Sequence, residues 1–399
     1  MKIISFGKCN KNLIYPLLGG IGKIVVNIIL YLNQDNVELN KHPFLSGINS
    51  GIGMSLAFIP YIYILKYTKI PKEENLNHNN SYLDNLFNKY SPIEKKQKCL
   101  IIFLCSFLDY LQRNLVYLFS ASITNNIWIF NIIFLNVFTY MITKNPMYKH
   151  QYFSSAVMIL FGIGLNILNL YTMELKDVPL LFLSLIVEII YSLGIVLAKY
   201  GMDNLFCSPF EITFYEGIFS LIINIIFLII FTNIPLSKYF KYTKLLKISE
   251  YNGKKYLDNF YCYIDKINFV EVLLFIVSML GRVFSNLFSH ITIKHFTSSH
   301  VVLLSIMGEI SLDWKGKNIY ELIITAFIFI VELFMLLVFC EIIEINLCGL
   351  KYNTKKNIEE RAEKAIFDEV DRNDSESLIE LVTSNYNNNS PNTSLIEDK

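Results

Sequence analysis

The decapeptide LQRNLVYLFS (Leu111–Ser120) places a full positive charge, Arg113, inside an otherwise apolar run. The decapeptide LGRVFSNLFS (Leu280–Ser289) repeats the pattern with Arg282 at the matched position. Five of the ten positions are identical, and the two arginines are 169 residues apart. The repetition of so unusual a segment indicates that two parts of the chain share one plan.

The composition indicates that the chain is built against lipid. Of 399 residues, 53% are apolar and 17% are charged, whereas charged residues make up about 25% of an ordinary soluble domain. Apolar residues form long blocks such as ELIITAFIFIVELFMLLVF, and a helix needs about 20 of them to cross roughly 30 Å of hydrocarbon. We therefore expect an all-α, multi-pass membrane protein. The net charge of +1 carries no information on partners, and no nucleic acid is expected.

Ten membrane spans are predicted from these blocks. They are 12–32, 43–65, 99–120, 123–142, 148–171, 178–198, 209–231, 268–290, 298–311 and 319–343. Pro43, Pro179 and Pro209 each fall in the first turn of a span, where the missing N–H group costs little. The first block carries Lys23 and lacks a clear cleavage site, so we expect it to be a retained helix.

A shift of 166–169 residues brings several features into coincidence. The first span falls on the sixth, the long polar loop 66–98 on the long polar loop 232–267, and HPF (42–44) on SPF (208–210). Five spans in each part is an odd number, so the second part would insert in the opposite orientation, which is the inverted-repeat plan of secondary transporters. The predicted units are therefore an N-terminal half, 1–174, and a C-terminal half, 175–350. A polar tail, 351–399, is expected to be disordered.

The distribution of positive charge predicts the orientation. With the N-terminus inside, the short inside segments hold eleven Lys and Arg residues and the short outside loops hold four, which favours cytosolic termini. Loop 66–98 is then cytosolic and loop 232–267 lumenal. The seven lysines of loop 232–267 oppose this assignment, although long loops count less in the rule. The glycosylation sequons, Asn79, Asn373, Asn388 and Asn392, all fall in segments assigned to the cytosol.

Four segments resemble the drug/metabolite transporter superfamily, and most closely its solute carrier family 35 branch of nucleotide-sugar-transporter-like proteins. They are HPFLSGINSGIGMSLAFIP (42–60), FLDYLQRNLVYLFSASI (107–123), FSSAVMILFGIGLNI (153–167) and KYGMDNLFCSPFEITFYEGIF (199–219). The resemblance implies ten helices in two inverted halves that carry a solute by alternating access. The segment ITNNIWIFN (123–131) lacks the Gln and Arg-Gly that many relatives have there, so the resemblance does not indicate the substrate.

The candidate substrate-binding residues are mainly charges inside the predicted spans. A charge at mid-membrane costs at least about 2.5–3.5 kcal/mol and therefore faces a cavity or a partner. The candidates are Lys23, Asp109, Arg113, Glu188, Tyr191, Tyr215, Glu216 and Arg282. Asp109 and Arg113 are four residues apart and can pair with each other, so the alternative is a self-neutralising pair that joins helices. The shift that relates the halves also brings Lys23 close to Glu188, and Arg282 requires a partner from another helix or a ligand.

The glycines of the first two spans favour a packing role. PLLGGIGK (16–23) places three glycines beside Lys23, and GINSG (47–51) has the spacing that lets helices approach closely. We therefore expect these glycines to lie at helix–helix contacts rather than in a binding site.

Enzymatic chemistry is not expected. The chain has no phosphate-binding glycine loop, nucleophile elbow or HExxH motif. The seven cysteines include no CxxC pair, and only Cys262 lies in a predicted lumenal loop, so no intramolecular lumenal disulfide is expected. His290, His295 and His300 recur every five residues, which does not place them on one helical face. We expect neither a metal site nor a cofactor.

The leading hypothesis is a secondary transporter of a polar organic solute, a nucleotide sugar or other small metabolite, acting as an exchanger or a proton-coupled carrier. The alternative is a non-transporting multi-pass protein that binds or escorts a partner protein, which would not need inward charges in both halves. The expected partners are the solute and the lipid bilayer, and a homodimer stays open. DSESLI (374–379) resembles an acidic dileucine signal of endosomal or vacuolar proteins; otherwise the resembled branch implies the Golgi or endoplasmic reticulum.

Overall fold

The structure, a computed structural model, describes residues 4–6, 14–32, 38–67, 92–118, 130–144, 148–172, 178–236, 246–302, 319–345, 350, 354, 357, 358 and 361. The helices are α1 (Ile14–Leu32), α2 (Pro43–Ser55), α3 (Phe58–Tyr67), α4 (Pro92–Leu118), α5 (Phe130–Thr143), α6 (Lys149–Thr172), α7 (Val178–Asn204), α8 (Pro209–Asn233), α9 (Phe260–Lys266), α10 (Phe269–His295) and α11 (Ile319–Phe339). The strands are β1 (Ile4–Phe6), β2 (Ser249–Tyr251), β3 (Lys254–Tyr256) and β4 (Ile343–Ile345). Short 3-10 helices span Glu38–Lys41 and Ser298–Val301.

Many of these helices are suited to lipid. Among the described residues, five stretches are long and apolar enough to cross a membrane: Pro43–Tyr63, Lys95–Val116, Phe182–Asn204, Pro209–Asn233 and Phe269–His295. Shorter apolar helical stretches are Ile14–Val26, Phe130–Thr143 and Ala326–Phe339. Large apolar side chains such as Ile226, Ile229 and Phe327 are at least half exposed on the outer faces, as a surface in contact with lipid requires. The prediction of an all-α, multi-pass membrane protein is confirmed at this level.

Several sequence predictions fall outside the described residues. Most of the ninth predicted span lies in 303–318, most of loop 66–98 lies in 68–91, and almost the whole tail after 350 is likewise not described. The described helices correspond to the other nine predicted spans, although α4 begins at Pro92 and α7 continues to Asn204, beyond the predicted bounds. Pro43, Pro179 and Pro209 lie in the first turns of α2, α7 and α8 as predicted.

The second predicted span is bent. It consists of α2 and α3, and the backbone turns at Leu56 and Ala57 between them. Pro60 explains the bend, because proline has no N–H group and its ring clashes with the carbonyl four residues earlier, which belongs to Leu56. The carbonyl of Leu56 accepts instead from the N–H of Ile59, 3.1 Å away.

The helices pack in a small set of pairs. α2 packs on α8, α1 on α10, α4 on α7, and α6 on α11, while α4 also contacts α8 and α2 also contacts α10. Glycine allows the closest approaches: a Cβ on Gly22 of α1 would lie 2.9 Å from the carbonyl oxygen of Gly281 of α10. A Cβ on Gly51 of α2 would lie 2.8 Å from the backbone nitrogen of Leu221 of α8. The packing interpretation is therefore confirmed for Gly22 and Gly51.

One end of the helix array, which we call the Asp258 end, is covered by the segment between α8 and α10. The Asp258 carboxylate lies 2.6 Å from Nδ1 of His42 and accepts the backbone N–H of Phe44 at 2.7 Å, so it caps the start of α2. The backbone N–H of Lys247 donates to the carbonyl of Leu118, the last residue of α4, at 2.9 Å. This segment also contains the hairpin β2–β3.

The opposite end, which we call the Glu341 end, joins other helix termini. Nζ of Lys98 lies 2.9 Å from Oε2 of Glu211, which stands in the first turn of α8. Nε2 of His150, at the start of α6, lies 3.3 Å from Oε1 of Glu341, which follows α11. β1 pairs with β4 in antiparallel register, with Ile4 opposite Ile345. The segment before α1 and the segment after α11 therefore meet at the same end.

Candidate functional site

Polar side chains from four apolar helices meet where α2, α4, α8 and α10 pack together. The set, which we call the central polar cluster, consists of Ser50, Asp109, Arg113, Thr213, Glu216, Asn286 and His290. Its members are fully or largely buried. Buried polar groups are nearly always hydrogen-bonded, and the bonds of this cluster cross between helices.

Arg113 connects three of these helices. Its Nε donates to both oxygens of Asp109, at 2.8 and 2.7 Å, within α4. One terminal nitrogen donates to Oγ of Ser50 on α2 at 3.1 Å, and the other donates to Oδ1 of Asn286 on α10 at 2.9 Å. The planar guanidinium thus donates from three separate nitrogens, a spread of donors that the single ammonium nitrogen of lysine does not reproduce.

The pairing expected for Asp109 and Arg113 is present. The two side chains keep only 13% and 14% of their exposure, so the pair is largely withdrawn from solvent. It is not confined to one helix, however, because the guanidinium also holds α2 and α10. The pair therefore joins the N-terminal helices α2 and α4 to the C-terminal helix α10.

Glu216 and His290 form the second part of the cluster. Nε2 of His290 on α10 lies 3.4 Å from Oε1 of Glu216 on α8, and Nδ1 of His290 lies 2.9 Å from Oγ1 of Thr213. Glu216 is 4% exposed. Its Oε2 is buried without a hydrogen-bond partner among the described residues, and the same holds for Nδ2 of Asn286.

The two parts of the cluster act on each other electrostatically. The charges of Asp109 and Arg113 reach both Glu216 and His290. Interactions between charges are strengthened where the surroundings exclude water. The four groups therefore form one electrostatic unit shared by α4, α8 and α10.

Arg282 lies one helical turn before Asn286 on α10 and is 8% exposed. It stands near Lys247, which belongs to the segment covering the Asp258 end. Burial, and after it the charge of Arg282, lowers the pKa of Lys247 to about 8. Two positive groups held close together favour the binding of a negatively charged group.

Lys23 and Glu188 form a separate charged position. Lys23 of α1 is near enough to Glu188 of α7 for its charge to act on the carboxyl group. One turn further along α7, the hydroxyl oxygen of Ser192 lies 2.7 Å from the carbonyl oxygen of Glu188 and also contacts Oδ1 of Asn131 on α5. The structure therefore brings Lys23 and Glu188 together, but not into the hydrogen bonds of the central polar cluster.

The two candidate tyrosines lie elsewhere. Tyr191 is partly buried and packs against the apolar core that contains Ile195 and Val196. Tyr215 is 44% exposed, and its ring centroid lies 5.3 Å from that of Phe214. The core contacts of Tyr191 are with apolar residues, and the ring contact of Tyr215 is with Phe214, which is not a member of the central polar cluster.

Sequence reasoning missed the uncharged members of the cluster. Ser50, Thr213 and Asn286 are small polar residues in apolar spans, and a search for charges passes over them. His290 was considered only with His295 and His300 as a metal ligand. Glu332 of α11 was also missed, although its position inside an apolar block is the same signal that identified Glu216. Glu332 is 1% exposed, and neither carboxyl oxygen has a hydrogen-bond partner among the described residues.

The chemistry of the cluster is that of hydrogen bonding and charge. Within the described ranges, no three His, Cys, Asp or Glu side chains are grouped as a metal ion would need. In comparisons with known proteins, no protein-family model matches the chain and no curated protein matches it. The function is therefore argued from the geometry of the cluster.

Proposed function

We propose that this protein is a secondary transporter that moves a polar organic solute, a nucleotide sugar or other small metabolite, across an endomembrane by alternating access. The observation that carries the proposal is the central polar cluster. It contains a buried acceptor, Oε2 of Glu216, and a buried donor, Nδ2 of Asn286, that have no partner among the described residues. Leaving such groups unsatisfied costs about 1–3 kcal/mol each, and a bound solute with hydroxyl groups would satisfy both.

The packing of the helices supports two inverted halves. Under the shift that matches the halves, α1 corresponds to α7, α2 to α8, α4 to α10, and α6 to α11. If each helix is replaced by its counterpart in the other half, the contact of α1 with α10 becomes the contact of α7 with α4. In the same way, the contact of α4 with α8 becomes the contact of α10 with α2. All four of these contacts occur in the structure. The α2–α8 and α6–α11 contacts convert into themselves. This is the pattern that a pseudo-two-fold axis in the membrane plane produces.

The two ends of the helix array support the ten-span topology. Because β1 precedes α1, β4 follows α11 and the two strands pair, the first and last helices begin and end at one face, as an even number of spans requires. The contacts of Lys98 with Glu211 and of His150 with Glu341 lie at the ends of predicted spans that the charge distribution places at the cytosolic face. His42, Asp258 and Lys247 belong to segments assigned to the lumen, and Leu118 lies at the lumenal end of a predicted span. Both termini would then be cytosolic.

The positive groups favour an anionic solute. Arg282 and Lys247 stand together near the lumenal end. A phosphate or carboxylate group on the solute would be attracted to this side of the site. The resemblance to nucleotide-sugar-transporter-like proteins agrees with such a solute and with the Golgi or endoplasmic reticulum.

Uptake by the purified protein in lipid vesicles tests the proposal, with nucleotide sugars, amino acids and small anions offered in turn. Arg113→Lys should reduce uptake of the transported solute by roughly tenfold to a hundredfold, because hydrogen bonds to a charged group contribute about 1.5–3 kcal/mol. Tyr215→Phe, on an exposed face of α8, serves as the matched control and should transport normally. Failure of every solute to enter vesicles that contain folded protein would favour the partner-binding alternative. If Arg113→Lys takes up the solute as fast as the native protein does, the central polar cluster is not part of the transport path.

A further inference from the structure

Thr213 determines which nitrogen of His290 carries hydrogen. The hydroxyl of Thr213 donates to the carbonyl of Pro209 at 2.8 Å, and a hydroxyl has a single hydrogen to donate. Nδ1 of His290 lies 2.9 Å from the same oxygen. With its hydrogen directed to Pro209, the hydroxyl is an acceptor here, and we infer that Nδ1 of His290 is the donor.

The other ring nitrogen then needs an additional proton. A neutral imidazole carries one hydrogen, so Nε2 of neutral His290 is an acceptor. It faces Oε1 of Glu216 at 3.4 Å, and a carboxylate is also only an acceptor. A favourable contact requires one proton between them, either on Nε2 as imidazolium or on Glu216 as a carboxylic acid. Both forms contain the same atoms and the same total charge.

The surrounding charges favour retention of that proton. The charged groups facing the pair come from α4 and are Asp109 and Arg113, with the thiol of Cys105 beside them. With the proton bound, Asp109, Arg113, Glu216 and His290 carry no net charge; without it, their net charge is negative. α2 contributes the uncharged Ser50, Tyr61 of α3 faces Glu211, and Lys23 of α1 acts on Glu188 of α7. An uncompensated buried charge is costly.

We propose that Glu216 and His290 form a binding site for one exchangeable proton, and that movement of the solute is coupled to its binding and release. The site itself follows from the contacts of Thr213 and His290, whereas the coupling rests on the proposed function. Release leaves a Glu216 carboxylate and a neutral His290 with hydrogen on Nδ1, and the proton passes to water. Asp109 and Arg113 lie in the other proposed half, so movement of α4 relative to α8 and α10 changes the field on the pair and thereby its proton affinity.

Infrared difference spectroscopy of the purified protein in lipid tests the site without any solute. Changing the pH should produce bands of carboxyl and imidazole groups that Glu216→Gln and His290→Gln both abolish. Glu332→Gln is the matched control, because it removes another buried carboxyl group outside the cluster; the Glu216–His290 bands should persist in it. If the bands persist in both Glu216→Gln and His290→Gln, the proposal is wrong.

Thr213 is a positioning residue in this arrangement, and its substitution separates proton binding from folding. Thr213→Val removes the acceptor for Nδ1, so neutral His290 can turn its hydrogen toward Glu216 without an additional proton. The midpoint of the infrared transition should move down by about 1–2 pH units, and Thr213→Ser should restore it. A midpoint that Thr213→Val leaves in place would contradict the assigned tautomer.

The coupling is tested with the same panel of solutes in vesicles that carry an imposed pH gradient. The gradient should drive accumulation by the native protein and by Glu332→Gln, and Glu216→Gln should lose that response. Equal gradient-driven accumulation by Glu216→Gln and the native protein would overturn the coupling. If no solute enters any vesicle while the infrared bands behave as expected, the proton site stands and the proposed function fails. If a solute is transported while the bands survive Glu216→Gln, the transporter stands and the proton site fails.

Discussion

Gly51 of α2 and Gly217 of α8 meet reciprocally: a Cβ on Gly51 would lie 3.0 Å from the carbonyl oxygen of Gly217, and a Cβ on Gly217 would lie 2.9 Å from the carbonyl oxygen of Gly51. The two residues are 166 positions apart, which is within the shift that matches the two halves of the sequence. Reciprocal contact between equivalent residues is the mark of a two-fold relationship. Contact of this kind is what the proposed inverted repeat would require of equivalent residues beside its axis.

Alanine at this crossing should destabilise the protein. A Cβ on Gly217 would lie 2.5 Å from the backbone nitrogen of Ser55, and backbone cannot move aside as a flexible side chain can. We expect Gly217→Ala to lower the free energy of unfolding by about 1–3 kcal/mol, the usual cost of overpacking. Gly164→Ala is the control, because a Cβ there meets nothing within 4 Å. Thermal unfolding in detergent measures both, and equal stability of the two variants would show that the crossing is not tight.

The buried carboxylate of Asp258 should be a second determinant of stability. It is 0% exposed, and an amide at this position keeps one oxygen acceptor and places its NH2 group against either Nδ1 of His42 or the N–H of Phe44. We expect Asp258→Asn to reduce the free energy of unfolding by about 3–5 kcal/mol, the cost of breaking a buried pair. Asp203→Asn breaks the pair of the 46% exposed Asp203 with Lys199 and should cost about 0–1 kcal/mol. Denaturant unfolding measures the stability of both variants, and similar unfolding midpoints for Asp258→Asn and Asp203→Asn would contradict the assigned role of Asp258.

The sequence predicted what depends on apolar length and local spacing. The spans, the first-turn prolines, the glycine contacts and the Asp109–Arg113 pair can each be predicted from residues that lie close together in the sequence. The bend at Leu56 was also within reach, because Pro60 lies four residues beyond it. The contacts of His290 with Glu216 and Thr213 could not be predicted from the sequence, because they join α10 to α8 through tertiary packing. The position of Lys247 beside Arg282 likewise depends on how a long loop folds back.

Arg282 should be required for transport if it meets the solute. Arg282→Ala removes a buried positive group, and we expect solute uptake into vesicles to fall by at least about tenfold with the protein still inserted. Arg282→Lys should recover only part of the activity, because a point charge does not reproduce the planar fork of donors. Normal uptake by the alanine variant would assign Arg282 a structural role.

The affinity for an anionic solute should decline at alkaline pH. Burial and the charge of Arg282 lower the pKa of Lys247 to about 8, below the ordinary value of about 10.4, so Lys247 loses its charge as the pH rises through that value. We expect weaker binding at about pH 9 than at about pH 7, whereas Lys247→Arg, which stays charged, should remain constant.

The same shift has a consequence for stability. Between the two pKa values the unfolded chain binds more protons than the folded chain, so the free energy of unfolding should increase with pH over that interval. Lys247→Arg should lack this component of the increase. An identical pH dependence of binding and of unfolding in the native protein and in Lys247→Arg would contradict the assignment.

The hairpin β2–β3 offers a direct test of topology. Asn252 and Gly253 form its exposed two-residue turn, with φ of 49° and 70°, as a type I′ turn requires. Lys254→Thr converts this turn into the glycosylation sequon Asn-Gly-Thr. We expect Asn252 to be glycosylated in that variant, which a mobility shift reversed by a glycosidase would show. Asn79, in loop 66–98, should stay unmodified; glycosylation at Asn79, or none at Asn252, would overturn the orientation.

The pairing of β1 with β4 joins the beginning of the described chain to the segment that follows α11. Three residue pairs, from Ile4 with Ile345 to Phe6 with Ile343, fasten the segment before α1 to the segment after α11. A rearrangement that moved the segment before α1 away from the segment after α11 would have to break the β1–β4 pairing, whereas a rearrangement of other helices would leave it intact. The strand pair therefore ties the segment before the first helix to the segment after α11, and any motion that moves these two segments apart must first break its backbone hydrogen bonds.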